Sequence, residues 1–190
     1  DHALDFANRQ NSDQLGKKIG INGRDDFKEY SNINIAIFSI SEYRYDQSIK
    51  KVFNADKDFR KKLYSLYTGN WNKKIYDFGC LVDGNQVSDT EFAIEKIIQS
   101  FVKNQIFVIT IGGSQNITTS LYSSLKSILN SINLVTIDNK LDFTENNNIE
   151  DSYLSKIILD DQNILNQFSN IGFQKHLTSM DEIELINKMK

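Results

Sequence analysis

Proline is absent from the 190 residues of this chain, cysteine and tryptophan occur once each, and histidine occurs twice. Average usage of ~5% would place roughly nine prolines in this length, and the shortfall accompanies a composition tilted toward Asn, Lys and Ile. The lone Cys80 excludes an internal disulfide and points to a reducing, cytoplasmic compartment. His2 and His176 are far apart in the chain and are read as structural or surface residues. No excess of one charge is present: 22 basic residues face 25 acidic ones, for a net charge of -3. That balance provides neither the basic field nucleic acid needs nor an acidic tail. No apolar run approaches the ~18 residues that cross a bilayer, and no basic-then-apolar leader follows Asp1. What is present is 39% hydrophobic residues with 12 Phe and 8 Tyr, enough for one substantial core and a single soluble domain.

Residues 1–32 are polar, carry Gly16, Gly20 and Gly23, and show no sustained apolar period, so an irregular N-terminal arm is expected there, ordered only by outside contacts. From residue 33 to 190, short apolar runs alternate with helical stretches. Strands are expected at Ile33–Ile40, Ile75–Phe78, Gln105–Ile111, Leu134–Ile137 and Ser169–Phe173. The runs are continuous and do not alternate, which marks strands buried on both faces. Helices are expected over 47–67, 88–103, 118–130, 152–168 and from Ser179 onward, the second opening on a Ser88/Glu91 capping box and the last on Ser179/Glu182. Ala93, Ile97, Ile98 and Phe101 form the inward stripe of the second helix, and Leu121, Leu125, Ile128 and Leu129 that of the third. The fold class is therefore α/β, a three-layer αβα arrangement with a mainly parallel sheet. Cys80, after a strand, reads as a small buried hydrophobe.

In open α/β sheets, ligands collect beyond the carboxyl ends of strands, and two segments occupy such positions. Residues 108–116 read Val-Ile-Thr-Ile-Gly-Gly-Ser-Gln-Asn, and residues 134–142 read Leu-Val-Thr-Ile-Asp-Asn-Lys-Leu-Asp. Gly112 and Gly113 serve either as a tight strand-to-helix turn or as a ligand-contacting turn, which before a helix could hold a small anion. The turn has neither a P-loop lysine nor the third glycine of a dinucleotide fingerprint. Asp138 and Asp142 read either as strand-end caps or as ligands. Asn116-Ile117-Thr118 is a glycosylation sequon without secretory context, and Asp77-Phe78-Gly79 matches a kinase triplet without the other kinase motifs.

Together the two segments resemble the ureohydrolase superfamily (arginase, agmatinase, formimidoylglutamase), whose motifs read G-G-D-H-S and D-A-H-x-D. The likeness extends to Ile35–Ile40 with Glu42-Tyr43-Arg44, to Arg60 and Leu63, to Asp77-Phe78-Gly79, and to Ser152–Ile157 with Ser169–Gln174, which resemble a bacterial arginase-like subgroup. It implies an arginase-like fold and degenerate metal-site positions Ser114, Gln115, Asp138, Lys140 and Asp142: serine and glutamine replace the first carboxylate and histidine, lysine the second histidine, and two aspartates remain. The family's enzymes hold two dications that ionise a bridging water, which attacks a carbon flanked by nitrogens. An amide oxygen is a poor substitute for imidazole. An ammonium ~4 Å from a dication would be repelled by about 8 kcal/mol at a dielectric of roughly 20. The resemblance therefore implies a pseudoenzyme without cofactor, acting as a scaffold or assembly subunit with a protein partner or as a homo-oligomer, and with no nucleic acid or membrane insertion. Lys140 is expected to be buried and paired with Asp138, Asp142 or both. The alternatives are a manganese-dependent C–N hydrolase of guanidino or formimino substrates, with Asp138 and Asp142 as its ligands here, and a small-anion-binding module. The family's third motif, S-x-D-x-D, has no counterpart before Lys190, so residues 33–190 are expected to be the N-terminal half of such a domain.

Overall fold

In the computed structural model, residues 2–27, 29–45, 55–143, 153–160 and 164–188 are described. Contacts gather into two compact units, 1–114 and 115–190, where composition predicts one core.

The first unit contains α1 (His2–Asn8), α2 (Leu15–Lys18), β1 (Gly20–Ile21), β2 (Ile35–Ser41), α3 (Ala55–Tyr64), β3 (Ile75–Val82), α4 (Val87–Lys103) and β4 (Phe107–Ile111). Its sheet runs β1-β3-β2-β4 with every pair parallel. β2 is central and buried along almost its whole length. Its neighbouring residues face opposite layers: Ile37 packs with Ala3, Ala7, Leu15 and Tyr64 from the N-terminal helices and α3, while the Phe38 ring lies 6.1 Å from Phe101 of α4. Helices on both faces of a parallel sheet make the expected αβα layering.

Residues 1–32 are not an irregular arm. They form α1, α2 and β1, and β1 extends the sheet through Gly20↔Tyr76 and Ile21↔Asp77. The apolar period misses them because their packing uses small residues: a Cβ added to Gly16 would lie 2.9 Å from Tyr64 Cβ and 3.2 Å from Ala7 Cα. Close backbone approach there accompanies Leu15, Ile19 and Ile21, whose spacing in the sequence follows neither a helical nor a strand period.

Beneath the sheet, Arg60 of α3 forks onto Asp77 of β3, with Nε 2.8 Å from Oδ2 and Nη2 3.0 Å from Oδ1. The Tyr64 hydroxyl donates to the same carboxylate at 2.8 Å, and the Gly79 N–H does so at 2.8 Å. Arg60 also donates to Ser39 Oγ at 3.2 Å and to the Gly79 carbonyl at 2.7 Å, which ties β2 and β3 together at Asp77-Phe78-Gly79, where their register shifts. Burial, then the Asp77 carboxylate, pushes the Tyr64 phenol far up, so it stays a donor.

The second unit contains α5 (Ile117–Lys126), β5 (Ile132–Ile137), α6 (Tyr153–Asp160), β6 (Leu165–Ile171) and α7 (Met180–Lys188), with β5 and β6 parallel. Its core is Tyr122, Ile132, Leu141, Phe143, Tyr153, Leu154 and Ile157.

Several element limits differ from expectation. The first long helix is described from Ala55 to Tyr64, and residues 46–54 of its expected span lie outside the described residues. Of the helix expected over 152–168, Tyr153–Asp160 is described and residues 161–163 lie outside the described residues, while the strand expected at Ser169–Phe173 already begins at Leu165 as β6, whose pairing with β5 outweighs the helical period of its leucine and phenylalanine. α4 begins one residue early and is capped by Asp89, whose carboxylate accepts the Gln86 N–H at 2.8 Å, in place of the Ser88/Glu91 box. Its buried line is Thr90, Ile94, Ile98 and Phe101, so Ala93 and Ile97 sit at the margin. α5 ends at Lys126, leaving Leu129 exposed beyond it. β3 runs four residues past Phe78 and carries Cys80 to the surface, so the thiol is not buried. The Ser179/Glu182 box forms as expected, Glu182 accepting from the Ser179 N–H at 2.9 Å and donating its own N–H to Ser179 Oγ at 3.2 Å.

Candidate functional site

At the carboxyl end of β4 the chain turns through Gly112 and Gly113, with φ of 82° and 83°. L side chains are strained in that region. A Cβ on Gly112 would also meet Tyr43 Oη at 3.2 Å and the Ile40 carbonyl at 3.3 Å. The next N–H, of Ser114, donates to the Glu42 carbonyl at 2.8 Å, fastening the turn to the end of β2. Glu42 is buried, and its carboxylate accepts from Arg44 Nε at 2.9 Å and from Arg44 Nη2. The Arg44 guanidinium holds its pKa below the ordinary carboxylate value. The glycines are thus explained by backbone shape and close approach, and the Ser114 amide is already used. Ser114 itself is 4% exposed, and its hydroxyl has no hydrogen-bond partner among the described residues.

In the second unit, β5 delivers Asp138 to its carboxyl end. Asp138 Oδ2 accepts from Gln115 Nε2 at 3.3 Å, and Oδ1 from the backbone N–H of Lys140 at 3.1 Å. The Lys140 side chain is exposed, and no ion pair joins it to a described carboxylate. The expected internal cation is therefore corrected. Its physical reason is the loop's alternation: Leu141 and Phe143 turn inward to the core, so Lys140 turns to solvent. Asp142 lies between those two anchors in a left-handed conformation, φ 49°. Asp142 and Asp138 both bear on the Tyr153 hydroxyl, whose pKa is raised first by burial and then by these carboxylates.

The loop is fastened to β6, to the segment after it and to α7 by residues outside the two motifs. Asn170 Nδ2 donates to Thr136 Oγ1 at 2.9 Å and to the Lys140 carbonyl at 3.2 Å, the Gln174 N–H to the Asn139 carbonyl at 3.0 Å, and Phe143 N–H to Glu182 Oε1 at 3.1 Å. Asn170 and Gln174 both lie in the Ser169–Gln174 segment, part of the family likeness, whose sequence alone carries no sign of this fastening role. Glu42, likewise quoted only as part of a loop, sets the first turn.

The described architecture overlays solved structures. Formimidoylglutamase from Bacillus subtilis matches with a TM-score of 0.72 at 14% identity, over 90% of this chain and 56% of that one. Formiminoglutamase from Trypanosoma cruzi, solved with Mn2+, matches at 0.74 and 12%, over 92% and 62%. The fold is arginase-like. Agmatine ureohydrolase of Thermoplasma volcanium matches this arginase-like chain at 0.65 and 15%, over 83% and 55%. The chain thus spans 55 to 62% of the length of these three structures. No protein-family model matches it, and no curated protein does.

Whether the residues present fit a metal pair is decided by their donors. Among the described residues, no group of three or more His, Cys, Asp or Glu could hold a metal ion. Each Asp138 oxygen accepts one N–H, and Gln115 presents its amide nitrogen, a donor and not a metal ligand, to that carboxylate. The described set does not fit a two-metal clamp.

Proposed function

We propose that this arginase-like chain acts through binding and not through hydrolysis, as a cytoplasmic scaffold or a subunit of a larger assembly. The observation that supports this reading is the Gln115–Asp138 hydrogen bond, which closes the motif on itself at the positions where the resemblance would put a histidine and a carboxylate ligand. A second reading is a manganese-dependent hydrolase of guanidino or formimino substrates; its support is that Asp138 and Asp142 both bear on Tyr153 and so share one neighbourhood. Titrating the purified chain with Mn2+ by calorimetry, and assaying release of urea or formamide from agmatine, arginine and formiminoglutamate, separates the two. The binding protein takes up no stoichiometric metal and releases no product. Two equivalents of tightly held manganese together with product release would overturn it.

A further inference from the structure

At the amino-terminal end of the first unit's sheet, away from the motif turn at the carboxyl end of β4, lies a cleft of about 720 Å³. Small-molecule sites typically fall between ~300 and ~1,000 Å³ and combine an apolar lining with a few polar groups. Leu15, Ile19, Ile33, Ile75 and Tyr76 supply the apolar lining. The Tyr76 ring can lie there because β1 starts with Gly20: a Cβ at that position would be 2.3 Å from Tyr76 Cδ2. The Tyr76 hydroxyl donates to the Asp25 carbonyl at 2.8 Å and so fixes the loop that forms one wall.

Two large aromatic residues at the cleft remain exposed, Phe27 at 40% and Trp71 at 61%. Phe27 is held in place by ring contacts with Tyr30 (4.8 Å) and Phe78 (5.3 Å). A fixed exposed ring offers a stacking face.

The charges are three lysines and three acids, and their commitments differ. Asp25 accepts from the Ile21 N–H at 2.9 Å and from Arg24 Nε at 2.9 Å, and Glu29 accepts from Asn32 Nδ2 at 3.1 Å. Lys74 donates to Asn32 Oδ1 at 3.2 Å. Lys18 and Lys73 make no hydrogen bond or ion pair to a described residue, and among the acids only Asp26 is similarly uncommitted. Asn32 is neutral and leaves Lys74 and Glu29 charged, whereas Arg24 neutralises Asp25 at 2.9 Å, so three lysines face two acids, Asp26 and Glu29, an excess of one positive charge.

We propose that this cleft binds a small planar aromatic anion, a heteroaromatic ring carrying a phosphate, with the ring against Phe27 and Trp71 and the phosphate near Lys18 and Lys73. Stacking on an aromatic side chain contributes ~1–3 kcal/mol per base, and the lysines discriminate for charge.

The chain's single tryptophan makes the test site-specific, because Trp71 fluorescence reports on this cleft alone. Adenosine monophosphate should quench it saturably, with adenosine and inorganic phosphate each at least about tenfold weaker. Lys18→Ala with Lys73→Ala should weaken the nucleotide about tenfold or more, while Asp26→Asn tightens it. Calorimetry on Trp71→Ala, whose far-UV dichroism should match the parent, should show a similar loss. Any of three outcomes overturns the proposal: no saturable quenching by the nucleotide, adenosine binding as tightly as its phosphate, or Asp26→Asn weakening binding while the lysine changes strengthen it, which would assign the cleft to a cation. None of these readouts depends on the metal or hydrolysis assays, so this proposal and the binding-protein reading fail separately.

Discussion

Arg60 is buried with the carboxylate of Asp77, whereas Lys140, also close to an aspartate, is exposed and holds Asp138 only through its backbone N–H. Removing one partner of a buried ion pair leaves an uncompensated charge and costs ~3–5 kcal/mol, while replacing the whole pair costs less. Arg60→Met should therefore unfold at much lower urea than the parent, and Arg60→Met with Asp77→Asn should recover part of the loss. Lys140→Met should stay within about 0.5 kcal/mol of the parent, as exposed substitutions do. Equal melts for Arg60→Met and Lys140→Met would mean the Arg60 network carries no stability. The likeness picked out both residues, but sequence spacing cannot say which lysine or arginine is inside. That depends on neighbours: Leu141 and Phe143 take the inward positions on either side of Asp142, and Lys140 is left outside.

Elements were legible where large apolar residues mark a period, and illegible where small residues or pairing decide. β2, β4 and β5 were found within two residues at each end because continuous apolar runs have one stable solution, a strand covered on both faces. α1 and α2 are not legible because small residues, Ala3, Ala7 and Gly16, sit among their contacts, and the strand expected at Ser169–Phe173 begins earlier, at Leu165, because the pairing of Leu165–Phe168 with β5 is a long-range contact. Caps are the sharpest case. Two Ser-x-x-Glu patterns predicted two boxes; one formed at Ser179, and at α4 the helix begins a residue earlier, so Asp89 caps while Glu91 instead accepts from the Tyr45 hydroxyl at 2.9 Å. Loss of an N-cap costs ~0.5–2 kcal/mol. Ser179→Ala should lower thermal stability by about 1 kcal/mol, Asp89→Ala by several tenths or more, and Ser88→Ala by nearly nothing. A calorimetric series in which Ser88→Ala costs as much as Asp89→Ala would return the cap to Ser88.

At the scale of the whole molecule, both sheets are parallel, and parallel sheets are ordinarily covered on both faces and shielded at their edges. β4 pairs with β2 on one side, and among the described residues no strand is paired to its other edge; that strand, Phe-Val-Ile-Thr-Ile, carries no charge to repel another chain. On the β5–β6 sheet, Leu134 and Phe168 face the core, while Val135, Ile137 and Ile171 point the other way, Ile137 at 83% exposure. Free edges and contiguous apolar surface both favour association, which agrees with the proposed role in an assembly. The chain of 190 residues should therefore self-associate as its concentration rises in sedimentation equilibrium. Val135→Lys with Ile137→Lys should shift that equilibrium toward monomer while leaving far-UV dichroism unchanged, because neither side chain contributes to the core cluster. Phe107→Lys, at the exposed start of β4, tests the edge in the same way, and whichever change has the larger effect identifies the dominant surface. A parent chain that stays monomeric throughout and melts in one cooperative step would show that these surfaces need no cover, and the assembly reading would lose its structural support.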